Sequence, residues 1–197
     1  MVACIIPAMS YTIRPAKESD LDVITAIYGE AVELGTASFE LAVPDRTEMA
    51  RRYHELVDQG YPFFALEDGG RVRGYAYAGP YRTRPAYRFM VEDTIYLDAK
   101  ARGKGYGKAL LTALIEECTR LGFRQMMAVI GDANNRGSVG LHRALGFEIT
   151  GTMKDVGWKH SKWLDVVLMQ LPLGQGGATA PDKDCLPARM FALRKGP

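Results

Sequence analysis

The chain has 197 residues, about half of them apolar and a quarter charged, with a formal net charge of +2. That is enough for one domain with a real core, and the near-neutral balance of scattered charges excludes a nucleic-acid surface as the organising feature. No apolar run is long enough to span a membrane. The three cysteines, Cys4, Cys118 and Cys185, are far apart in the sequence and odd in number, so they suggest neither a disulfide framework nor a metal site. A cytoplasmic protein is expected.

Residues 1–9 fit poorly with the rest of the chain and read as an N-terminal extension, with Met9-Ser10 as the natural start. Tyr11 to Arg14 reads as a first strand stopped by Pro15. Ser19 or Asp20 can cap a helix through Leu21, Ile24, Ile27, Tyr28, Ala31 and Val32, ended by Gly35. Residues 36–44 form a loop. A second helix starts near Arg46-Thr47, carries Met49, Tyr53, Leu56 and Val57, and ends at Gly60. Two strands, 63–66 and 72–78, are joined by a turn at 67–70 whose Asp-Gly-Gly is a strong hairpin signal. Residues 81–90 form a loop dense in Arg and Tyr. Val91 to Leu97 is the next strand.

A glycine-rich turn comes next, Arg102-Gly103-Lys104-Gly105-Tyr106-Gly107-Lys108. The helix after it, Leu110 to Leu121, has a one-sided apolar face at Leu110, Leu111, Leu114, Ile115, Cys118 and Leu121. Gln125 to Ile130 reads as a buried strand, and 134–145 as a loop and short helix containing Leu141 and His142. Phe147 to Thr152 and Trp163 to Leu171 read as closing strands, with Asp155, Lys159 and His160 in a loop between them. Residues 173–197 read as a tail. The order β-α-α-β-β-β-α-β-α-β-β predicts a mixed, mostly antiparallel sheet with helices on both faces.

The glycine turn carries the first functional signal. Glycine admits backbone angles that other residues avoid and lets a ligand approach the chain. The first N–H groups of a helix lack partners within it, and the helix dipole favours anions there. A phosphorylated ligand is expected. A Walker A loop would need glycine where this chain has Arg102, and a hydroxyl where it has Ala109. A dinucleotide fingerprint starting at Gly103 would need glycine where it has Lys108.

The pattern that fits is Arg-x-x-Gly-x-Gly at Arg102, Gly105 and Gly107. It resembles the pyrophosphate loop of the GNAT superfamily of acetyl-CoA-dependent N-acetyltransferases. Further motifs appear in order. They are Thr36-Ala37-Ser38-Phe39, Ala78-Gly79-Pro80-Tyr81-Arg82-x-Arg84-x-Ala86-Tyr87, Glu92-Asp93-Thr94-Ile95-Tyr96, Asn135-x-x-Ser138-x-x-Leu141-His142-x-x-x-Gly146-Phe147 and Gly157-x-Lys159-His160-x-x-Trp163-x-Asp165. This set is similar to the phosphinothricin N-acetyltransferase family, which includes methionine sulfoximine acetyltransferases. The resemblance covers residues 10–172.

The resemblance implies a GNAT-like domain that moves an acetyl group from acetyl-CoA to the α-amine of a small amino-acid-like acceptor. It implies direct attack in a ternary complex, with no metal. Glu92 is the expected base, since an amine must lose a proton around the time of attack; Asp93, next to it, faces the other side of the strand. His142 stands where many relatives have a tyrosine proposed to protonate the leaving thiolate. It is either that acid or an ordinary packed histidine.

Arg102, Gly103, Lys104, Gly105, Tyr106, Gly107 and Lys108 are expected to hold the cofactor phosphates. Backbone N–H groups around Leu97 would polarise the thioester. Asn135 and Ser138 are expected beside the cofactor arm, unless Asn135 only caps its helix. The arm is expected between diverging strands 93–98 and 125–130. Arg82, Arg84, Tyr87 and Phe39 are expected to bind the acceptor, where cations favour an anionic or zwitterionic partner. A homodimer is also implied. The rival readings are an acetyltransferase for other amines and a non-catalytic acyl-CoA-binding protein.

Overall fold

The computed structural model describes residues 11–195, so the extension expected over residues 1–9 lies outside the described residues. Within them the chain forms β1 (Tyr11–Pro15), α1 (Leu21–Leu34), α2 (Arg46–Val57), β2 (Phe63–Asp68), β3 (Arg71–Pro80), β4 (Met90–Leu97), α3 (Tyr106–Arg120), β5 (Gln125–Gly131), α4 (Arg136–Arg143), β6 (Glu148–Lys159), β7 (Lys162–Pro172) and α5 (Leu186–Lys195). The strands make one seven-stranded sheet in the order β1-β2-β3-β4-β5-β7-β6. Its neighbours are antiparallel except for β4 and β5.

The alternation of side chains along a strand divides the core into two layers. On one face, Leu66, Ala76, Ala78 and Val91 pack against Leu110, Leu111, Leu114 and Cys118 of α3. On the other, Phe63, Ala65 and Tyr75 pack against Leu21, Ile24 and Tyr28 of α1 and Met49 and Tyr53 of α2. Helices therefore cover both faces. Full burial of each large apolar side chain stabilises the fold by roughly 1.5–3 kcal/mol. Helix α2 is capped by Asp45, whose carboxylate accepts the Glu48 N–H at 2.8 Å.

Three elements depart from expectation. Helix α3 begins at Tyr106, so Tyr106, Gly107 and Lys108 form its first turn and not a free loop. The segment 153–162 is no loop. Strand β6 runs on to Lys159 and turns through His160-Ser161 into β7, pairing Lys159 with Lys162. Both turn residues have positive φ, 50° and 57°, the geometry that matches the twist of a hairpin.

The expected tail is also folded. Leu173 is buried, and the Leu186 N–H bonds the Leu121 carbonyl at 3.2 Å. Helix α5 lays Leu186 and Met190 against the core.

Candidate active site

Strand β4 pairs with β5 only at Met90, Val91 and Glu92, opposite Gln125, Met126 and Met127. Beyond Glu92 the two strands part. Strand β5 stays paired with β7 as far as Gly131, so the gap lies on the β4 side alone. A cleft of about 750 Å³ opens there, walled by β4, β5, the glycine turn, α4 and the end of α1. The cleft separates 93–97 from 128–131, as expected for the arm of a long ligand.

At one end of the cleft lie Arg102, Gly103, Gly105, Gly107 and Lys108. Gly103 and Gly105 have φ of 77° and 81°, which a residue with a Cβ adopts only at a cost. Gly105 caps α3, so the unpaired N–H groups of its first turn form an anion cradle at the cleft end. Gly107 serves close packing: a Cβ there would lie 3.3 Å from Leu141 and 3.5 Å from Leu97.

Two residues of the expected cradle sit elsewhere. Tyr106 turns inward, its hydroxyl donating to Asp68 at 2.7 Å and its ring packing on Tyr11. It anchors α3 to the β2 hairpin. Lys104 is exposed and lines no part of the cleft.

Glu92 lines the cleft where the strands part. Burial, reinforced by the Asp93 carboxylate and partly offset by Arg82, pushes its carboxyl up to about 7. A group poised there can accept a proton at neutral pH.

Asp93 projects from the opposite face and is buried, with His142 beside it at 3.0 Å. The other ring nitrogen of His142 lies 2.8 Å from the Ser138 carbonyl. Both nitrogens thus face oxygen acceptors, an arrangement that favours the doubly protonated ring. Burial pulls the His142 pKa down, but Asp93 and the Ser138 carbonyl raise it overall. His142 is 2 % exposed yet lines the cleft, as do Asn135 and Ser138. Asn135 is a helix cap, its side-chain oxygen accepting the Ser138 N–H at 3.2 Å. Leu97 lines the cleft beyond the parting of the strands.

The expected acceptor residues do not line this cleft. Arg82, Arg84 and Tyr87 are exposed on the 81–88 loop, beyond the Glu92 end of β4. Arg82 stacks on the Tyr81 ring at 4.4 Å, and Tyr81 meets Tyr87 edge-on at 5.7 Å. Phe39 comes from the other side, on the 36–44 loop. Its ring fills the space over Gly157 and touches Gly131.

The hairpin tip clamps that loop. Lys159, buried to 5 % exposure, donates to the Ser38 carbonyl at 2.7 Å, and His160 lies 3.2 Å from the Gly35 carbonyl. Thr36 bonds Asp132 at 2.7 Å. Lys159 and His160 thus position the loop that carries Phe39.

The Acetyltransferase (GNAT) family matches residues 29–147 of this chain, from α1 through the glycine cradle to α4. The chain belongs to the GNAT acetyltransferase family. The phosphinothricin N-acetyltransferase of Alcaligenes faecalis is 47% identical over 171 residues, covering 87% of each chain. An L-methionine sulfoximine/L-methionine sulfone acetyltransferase of Pseudomonas aeruginosa is 42% identical over 84% of this chain and 96% of its own. A crystal structure of a GNAT phosphinothricin acetyltransferase from Sinorhizobium meliloti in complex with AcCoA superposes with a TM-score of 0.90. It is 52% identical, covering 93% of this chain and 99% of that one.

This GNAT protein is an acetyl-CoA-dependent N-acetyltransferase. The cradle and the parted strands fit such a cosubstrate: the positive-φ glycines and free N–H groups suit its phosphates, and the gap its extended arm.

Proposed function

We propose that this enzyme acetylates the α-amine of small amino-acid-like acceptors of the phosphinothricin, methionine sulfoximine and methionine sulfone class. The observation that carries the reading is the position of Glu92. A carboxyl poised near pH 7 stands where the cofactor cleft begins, below a loop bearing Arg82 and Arg84.

In this reading Arg84, whose side chain caps nothing in its own turn, takes the acceptor's acidic group, with Arg82 adding positive charge near Glu92. Tyr87 and Phe39 supply apolar walls. Glu92 removes a proton from the ammonium, directly or through water, and the free amine attacks in the ternary complex. Backbone N–H groups near Leu97 receive the developing oxyanion. Loss of one such donor typically costs roughly 3 kcal/mol in the transition state.

Collapse of the tetrahedral intermediate breaks the C–S bond; the thiolate leaves beside the Asp93–His142 pair and takes up the second amine proton. For His142 to give up a proton as an acid, it must first release Asp93 or Ser138.

We also propose a homodimer formed through the β6–β7 face. Strand β6 is a long edge strand that exposes Ile149, Met153, Val156 and Trp158, with Trp163 opposite on β7. The free thiols Cys118 and Cys185 suit a reducing compartment, which favours the cytoplasm.

Thiol release from acetyl-CoA with a panel of acceptors tests the substrate class. Methionine sulfoximine, phosphinothricin and methionine sulfone should turn over well ahead of ordinary amino acids, spermidine and a peptide. Preference for spermidine or the peptide would overturn the reading.

A further inference from the structure

We infer that Phe191, on the C-terminal helix α5, is a positioning residue for the acceptor: it pins Arg88 and through it fixes the 81–88 loop. The inference rests on the reading of that loop as the acceptor site.

The Arg88 guanidinium lies between two aromatic faces, 4.5 Å from the Phe89 ring centre and 4.8 Å from that of Phe191. Its Nη1 donates to the Pro85 carbonyl at 3.1 Å, an oxygen that also receives the Arg88 backbone N–H. Pro85 opens the short turn Pro85–Tyr87, with Arg84 at its head. Phe191, Arg88, the Pro85 turn and the pair Arg84 and Tyr87 thus form one continuous line of contacts. Arg88 Nε is buried without a hydrogen-bond partner. The two ring faces and one carbonyl are therefore what hold the group, and a planar guanidinium suits such stacking.

The helix can act as a brace because it is itself anchored away from the loop. Leu186 and Met190 pack on the core, and Leu186 also packs over Gly60. The segment leading to α5 is tied to the base of the same loop. Arg124 donates to the Thr179 carbonyl at 2.7 Å, while its own N–H bonds the Phe89 carbonyl at 2.8 Å. None of these residues lines the cofactor cleft. Disturbing Phe191 should therefore loosen acceptor binding and leave acetyl-CoA binding alone.

The test is steady-state kinetics of the full chain with acetyl-CoA and the acceptor of the panel that turns over fastest. Phe191→Leu keeps an apolar side chain and removes the ring face; Phe191→Tyr restores the ring; Arg84→Ala reports on the loop itself. Thermal midpoints confirm that each variant is folded. Phe191→Leu should raise the acceptor KM roughly fivefold, with kcat and the acetyl-CoA KM changed by less than about twofold. Phe191→Tyr should return the acceptor KM to the wild-type value.

An unchanged acceptor KM in Phe191→Leu, alongside a raised one in Arg84→Ala, would overturn the inference and leave the loop reading intact. If Arg84→Ala also leaves that KM unchanged, the loop reading fails and takes the inference with it. Parallel rises in both KM values would mark α5 as general support and overturn the positioning role.

Discussion

In the proposed reaction Glu92 is the base, and its burial is what suits it to accept a proton. Replacing it with Gln should lower kcat/KM by about 10²-fold or more, the usual contribution of a positioned base. In the wild type, kcat/KM should fall as pH drops below about 7, because the protonated carboxyl cannot accept. The same raised pKa sets a sign for stability. The folded state holds this proton more tightly than the unfolded chain, whose value is near 4.5, so stability declines as pH rises from there to about 7. Glu92→Gln removes this strain. Urea midpoints should show the variant gaining on the wild type between pH 5 and pH 8, by at most about 3 kcal/mol. Asp93→Asn breaks the buried pair with His142 and should cost about 3 kcal/mol in urea unfolding. The place of Glu92 at the cleft was legible from strand phase and its local pattern. The Asp93–His142 pair was not: its partners are 49 residues apart, and only the tertiary fold brings α4 and β4 within reach of one another.

At the scale of elements, periodicity identified the strands and helices that bury one face. It failed where burial is weak. Strand β6 is mostly exposed along its length and shows no alternation to read. Its turn is His-Ser, without the glycine that signals such a hairpin. Helix α5 has little one-sidedness: Leu186 and Met190 pack on the core, while Phe191 turns to the Arg88 guanidinium. The glycine turn was readable because its chemistry is local, yet the direction of Tyr106 depended on a distant partner, Asp68. The cradle gives a direct prediction. Gly105→Ala forces a Cβ into left-handed backbone at the head of α3 and should cost about 1 kcal/mol or more of stability. Calorimetric titration should show weaker CoA binding if, as the cradle's geometry suggests, the same turn presents its N–H groups to the phosphates.

At the scale of the whole molecule, the exposed apolar face on β6 and β7 sits at the sheet edge far from the glycine cradle. Trp163→Glu should shift the protein to a monomer in sedimentation velocity, with CoA binding retained. An unchanged sedimentation coefficient would remove this face as the interface. The middle strand of the sheet, β4, has a consequence of its own. Glu92 and Asp93 are neighbours in sequence, yet the pleat sends them to opposite sides, and His142 goes with Asp93. Were a protonated His142 to face Glu92, the pairing would hold the carboxylate ionised and weaken it as a base. The pleat instead separates the two by orientation, while the Asp93 charge still reaches Glu92 across the strand and helps to raise its pKa. A slip of β4 by a single residue would exchange the two faces and undo that separation while leaving every side chain in place along the chain.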